Sequence, residues 1–319
     1  AQVFSAMDGH AAVVFGSWFL GGVPWGCVGT GGAIVFTLSF NLAAFCGLVT
    51  FDPAQVILLV QCGVLAMTGI QVCLNSVPSP HTNWAFVALV TVLFAPSDVF
   101  GIWLMLSFAE DGVGWMPMAL GVLLLFTFAA LVYLEVMQGP AEPTVFTLST
   151  PSSVLKAMVF GIGGGFLAGF FGIPIVAFVL FPYLVQMPKE EWRASASPFY
   201  FLATCANVLW LASAGRLEVG EMTDYAAGIS GALMGAATGN FMSPVVDEKS
   251  FRRVLLGFLL VGSLSLMTRG TAAELYFATA TFCVLVSTLA VGLSLAVQAA
   301  LCQPSKEYGL VTTTEPPAD

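Results

Sequence analysis

The sequence predicts an all-α, polytopic membrane bundle of two homologous halves with Gly/Pro-broken helices, plus one extra C-terminal helix. Three observations carry that expectation. The chain is 58% hydrophobic and only 8% charged, whereas about a quarter of an ordinary soluble domain is charged. Uncharged apolar stretches recur along it, and about 20 such residues cross a hydrocarbon core as a helix. Two glycine ladders also pair at a constant offset, with Gly22, Gly26 and Gly29 matching Gly165, Gly169 and Gly172. In a soluble helix each of these glycines would cost about 1 kcal/mol. In lipid, small residues four apart let two backbones approach, and a Gly/Pro interruption lets a helix unwind beside a cavity.

The elements follow in order. Residues 11–49 hold no charge and read as one broken span or a tight pair. Spans follow at 53–74, 84–108 and 115–136, and a Pro/Thr/Ser-rich loop at 138–153 separates the halves. Then come 154–185, again over-long and glycine-interrupted, and spans at 197–214, 225–241, 251–267 and 275–302. This gives nine segments, or ten or eleven if the long ones are hairpins. The duplication continues past the ladders. Pro96-Ser-Asp98-Val-Phe-Gly101 matches Ser230-Gly-Ala232-Leu-Met-Gly235, and Leu120-Gly121 matches Leu256-Gly257. The expected organisation is a first membrane repeat over 1–137, the loop 138–153, a second repeat over 154–270, an extra transmembrane helix over 271–302 and a disordered tail over 303–319.

Charge narrows the function. The net charge is −9 and no Lys or Arg precedes Lys156, so a nucleic-acid partner is excluded, because it requires clustered positive charge. With each segment as one pass, six basic residues fall on one side (Lys189, Arg193, Lys249, Arg252, Arg253, Lys306) and three on the other (Lys156, Arg216, Arg269). That asymmetry puts the C-terminus in the cytoplasm. The seven cysteines form no Cys-x-x-Cys pair and read as small buried hydrophobes. No metal or cofactor is expected. The partners expected are the lipid bilayer and a small inorganic or organic anion, with a proton as candidate coupling ion. The oligomeric state is not legible.

The residues of both halves resemble the sulfite exporter TauE/SafE family of membrane anion transporters. The resemblance rests on Gly165-x3-Gly169-x2-Gly172, Arg193-Ala-Ser-Ala-Ser197, Gly231-x3-Gly235, Phe251-Arg-Arg-Val and the 262–270 segment, in that order. In the first half it rests on Gly26-x2-Gly29-x-Gly31-Gly32 and Pro96-x4-Gly101. It implies transport of small sulfur oxyanions or organosulfonates. Gly172-Ile-Pro174 stands where the family usually turns on Gly-x-Gly-Gly, and Asp98 stands where it usually has a small or apolar residue.

Candidate site residues each carry two readings. Gly26, Gly29, Thr30, Gly31, Gly169, Gly172 and Pro174 serve either close helix packing or a substrate path lined by unwound backbone whose N–H groups face an anion. Asp98 lies in the middle of an apolar span, where an ionisable group is a functional candidate. It is read as a proton carrier or as the cap of a half-helix restarting after Pro96. Arg193 is either a positive-inside anchor beside an interfacial Trp192 or a guanidinium that forks onto an oxyanion. Ser197 and Asn207 would add neutral hydrogen bonds.

The glycine runs lack the Gly-Lys-Ser/Thr ending of a phosphate-binding loop. Neither His-Glu-x-x-His nor Gly-x-Ser-x-Gly occurs, so an enzyme is not expected. The leading expectation is a secondary transporter; the alternatives are a passive anion channel and a membrane scaffold or sensor without flux.

Overall fold

The computed structural model describes residues 9–29, 53–77, 79–109, 115–138, 146–172, 187–215, 222–244 and 248–268, with isolated positions within 32–49, 178–181 and 271–283. Among these residues the chain is helical and contains no strand. The helices are α1 (Gly9–Val28), α2 (Pro53–Gln71), α3 (Trp84–Ala109), α4 (Met116–Gln138), α5 (Pro151–Val159), α6 (Gly165–Phe171), α7 (Lys189–Ser213), α8 (Met222–Met242) and α9 (Glu248–Met267). A π-helical turn, Val72–Ser76, extends α2, and a second, Phe160–Gly164, joins α5 to α6. The expected extra helix falls almost wholly outside the described residues.

Three of these rods are long and apolar enough to cross a membrane by length and composition: Ile57–Ser76, Trp84–Phe108 and Pro151–Phe171. Large apolar side chains such as Val92, Phe126, Val136 and Leu209 stand exposed on the outside. Such a surface is a liability in water and the expected one in lipid.

The prolines do not break the helices. Pro24 lies within α1 and Pro96 within a continuous α3. Beside Pro96 the Ser97 hydroxyl donates to the Leu93 carbonyl at 2.8 Å. No half-helix restarts there, so Asp98 caps nothing. The breaks occur instead at the ends of the two ladders. Gly29 closes α1 at φ +78° and Gly172 closes α6 at φ +69°. Both adopt the left-handed conformation that glycine alone takes without steric cost.

The ladders do not meet each other. Each packs its backbone on a helix of the opposite half of the chain, α1 on α8 and α6 on α3. A Cβ on Gly26 would overlap the Ala236 carbonyl oxygen of α8, and one on Gly22 would lie 2.7 Å from the Ala236 nitrogen. A Cβ on Gly169 would overlap the Asp98 carbonyl oxygen of α3, and one on Gly165 that of Phe94. α8 and α3 answer with glycines of their own, Gly235 against Phe19 and Gly101 against Phe166. Without a hydrophobic drive in lipid, this intimate backbone packing is what holds such helices together.

By their contacts, these helices form two parallel sets. α1, α2 and α8 run together, with Gly22 level with Ala236 and Gln71 and Asn75 bonded to Ala236 and Asn240. α3, α6 and α7 run together, with Gly165 against Phe94, and Asn83 and Asp98 bonded to Ser195 and Asn207. The sets are antiparallel, since Gln61 meets Asn207 while Gly69 meets Phe201. The start of α4 closes on the end of α9, Gly121 against Ser263 and Met267.

Candidate functional site

Buried polar groups are costly in an apolar protein unless they are bonded, so their location marks function. Nine of the fifteen buried polar side chains among the described residues belong to α7 or to α2 and its π turn. Two nodes stand at the ends of this region.

The first node surrounds Arg193. α7 begins after Pro188 with Glu190 and Glu191 in its first turn, where acidic residues complement the helix N-terminus. Arg193 follows within the same turn, and its backbone lies against the terminating glycine of α1. A Cβ on Gly29 would sit 3.2 Å from the Arg193 Cα. The guanidinium Nη1 donates to Ser243 Oγ at 2.9 Å, and Nη2 donates to Asn240 Oδ1. The Ser243 hydroxyl donates onward to the Cys27 carbonyl at 2.8 Å. Asn75 donates to the same Asn240 oxygen at 3.2 Å and to Gln71. Arg193 Nε is buried with no partner. Among the described residues no carboxylate lies within ion-pair distance of this cation. Glu191, its near neighbour, instead accepts from Asn83 at 2.8 Å.

Trp192 is not at an interface. It is 2% exposed and packs among Phe86, Phe160, Phe178, Phe181 and Phe199. The tryptophan half of the anchor reading thus finds no support, because Trp192 faces the protein core rather than a surface.

The second node lies deeper. Asp98 is 2% exposed in the middle of α3. Asn207 Nδ2 donates to Asp98 Oδ2 at 2.8 Å and to Gln61 Oε1 at 3.3 Å. Asn207 Oδ1 is buried without a partner. The closest approach of α6 to α3 falls at the same place, because Gly169 sits on the Asp98 peptide.

The remaining expected site residues divide clearly. Ser197 is 1% exposed and its hydroxyl has no partner. Gly26 and Gly169 occupy helix crossings, where backbone fills the space of a side chain. Gly29 and Gly172 are helix terminators. Thr30, Gly31 and Pro174 lie outside the described residues. Gln61, Gln71, Asn75, Asn240 and Ser243 were not anticipated. Gln61, Thr68 and Asn75 recur every seven residues in a largely apolar helix and its π turn, and Arg193, Tyr200 and Asn207 recur likewise in α7. That spacing keeps a set of side chains on one helical face.

A bundle of long apolar helices with polar and ionisable side chains buried between them is the architecture of an integral membrane protein. The chain belongs to the sulfite exporter TauE/SafE family, whose model it matches over residues 14–266. Membership implies membrane transport of sulfur anions such as sulfite. No curated protein and no solved structure matches the chain.

Proposed function

We propose that the chain is a secondary transporter for a small sulfur oxyanion or organosulfonate such as sulfite. In this reading Arg193 holds the anion and Asp98 carries a coupled proton. The observation that carries it is the Arg193 guanidinium, half-buried, fixed by two neutral oxygens and with no carboxylate within ion-pair distance among the described residues. A cation removed from water is costly without a counter-charge, and a planar fork of N–H donors suits an oxyanion. Asn240 and Ser243 set its orientation and leave Nε–H free.

The helix directions support a reading of 1–137 and 154–270 as inverted repeats about the loop 138–153. Exchanging α1 with α6, α2 with α7 and α3 with α8 turns one parallel set into the other, with direction reversed. Transporters place their sites at such repeat interfaces. The excess of basic residues favours a cytoplasmic Arg193 end of α7 and a cytoplasmic C-terminus.

Arg193→Gln is expected to lower the apparent affinity for the anion at least tenfold in proteoliposome uptake. Arg193→Lys, which keeps the charge and loses the fork, should fall between it and the wild type. Wild-type uptake by both variants would remove Arg193 from the mechanism.

A further inference from the structure

The two nodes are the ends of one buried polar seam. Along α7, Arg193, Ser197, Tyr200, Thr204 and Asn207 follow at alternating spacings of four and three. This keeps all five on one face, over a rise of about 21 Å at 1.5 Å per residue. Antiparallel to it, α2 and its π turn present Gln61, Thr68, Gln71 and Asn75. Gln61 joins Asn207 directly, and Asn75 joins Arg193 through Asn240.

Between the nodes lies an aromatic layer. Trp25 of α1, Phe178 and Tyr200 of α7 touch one another, with ring centroids 5.7 Å apart for Trp25–Phe178, 5.7 Å for Trp25–Tyr200 and 5.0 Å for Phe178–Tyr200. All three are buried. Four of the buried polar atoms without partners belong to these elements: Arg193 Nε, Ser197 Oγ and Asn207 Oδ1 on the α7 stripe, and Trp25 Nε1 in the layer. Three of these four groups can donate a hydrogen bond. Buried donors left unmade are costly, and an oxyanion passing along the seam would satisfy them in turn.

We propose that the α2–α7 seam is the route of the anion. The Trp25–Phe178–Tyr200 layer closes it between the Arg193 node and the Asp98 node. This rests on the anion-transport reading, but thiol labelling tests the route without depending on which anion is carried. The probe is 2-sulfonatoethyl methanethiosulfonate, itself an organosulfonate, applied to the protein in proteoliposomes and read by mass spectrometry. Ser197→Cys should label at least tenfold faster than native Cys205, which lies off the stripe. Thr204→Cys should label slowly, and combining it with Phe178→Ala should speed it several-fold. In uptake assays Phe178→Ala and Trp25→Ala should raise downhill sulfite flux and weaken its dependence on a pH gradient. Structural damage would lower flux instead. Labelling of Ser197→Cys no faster than Cys205, or no acceleration of Thr204→Cys by Phe178→Ala, would overturn the route. Absence of sulfite flux in the wild type, with this labelling pattern intact, would count against the substrate and leave the route standing.

Discussion

Gly169→Leu is expected to eliminate the folded protein, and Gly26→Leu to do the same. At both positions the first carbon of any side chain overlaps a carbonyl oxygen of the facing helix, Asp98 in one case and Ala236 in the other. Backbone cannot turn aside as a flexible side chain can, so α6 must separate from α3, or α1 from α8. Overpacking where neighbours can give costs about 1–3 kcal/mol, and these sites should exceed about 3 kcal/mol. Whole-protein stability is only about 5–15 kcal/mol. Gly163→Ala and Gly257→Ala are the controls, because nothing lies within 4 Å of the added carbon at either position. Thermal unfolding of the detergent-solubilised protein should show the controls melting with the wild type. It should show the leucine variants absent or melting far lower. A leucine variant with wild-type stability would mean the ladders do not hold the crossings.

Asp98→Asn is expected to leave folding and anion binding intact and to uncouple transport from the pH gradient. The asparagine side-chain oxygen can still accept the 2.8 Å bond from Asn207, so the node keeps its shape. What is lost is the group's ability to take up and release a proton at mid-span. Uptake driven by an imposed pH gradient should fall to the level of downhill flux, while half-saturation by the anion stays within about twofold. Because α3 runs unbroken past Pro96, a capping role gives no alternative account of a silent result. Unchanged gradient dependence would therefore take the proton away from Asp98 altogether.

Much of the frame was legible because lipid imposes a narrow code. The paired offsets of Gly29 and Gly172 marked two helix ends, and both carry the left-handed backbone that only glycine adopts freely. The interior was harder to read. Pro96 looked like a break, yet α3 runs continuously through it, as helices in a membrane tolerate proline where neighbouring groups compensate the lost bond. Trp192 looked interfacial because a tryptophan beside an arginine commonly is; only the tertiary packing of α7 on α3 puts it in the core. The partners of Arg193 were invisible for a different reason. Asn240 in α8 and Ser243 just past its end lie about fifty residues away, and nothing local in Gly239-Asn240-Phe-Met-Ser243 announces a hydrogen bond to a distant guanidinium. The seven-residue recurrences of Gln61, Thr68 and Asn75 and of Arg193, Tyr200 and Asn207 were readable signals of the seam, and glycine periodicity in the same chain obscured them.

The most direct measurement is uptake of radiolabelled sulfite, sulfate and an organosulfonate into proteoliposomes, with and without an imposed pH gradient. Protein-free vesicles and the Arg193→Gln variant are run alongside. The expected result is saturable, gradient-dependent uptake of at least one of the three, lost in Arg193→Gln. Uptake of all three no greater than in protein-free vesicles, or non-saturating uptake indifferent to the gradient and to Arg193, would contradict it.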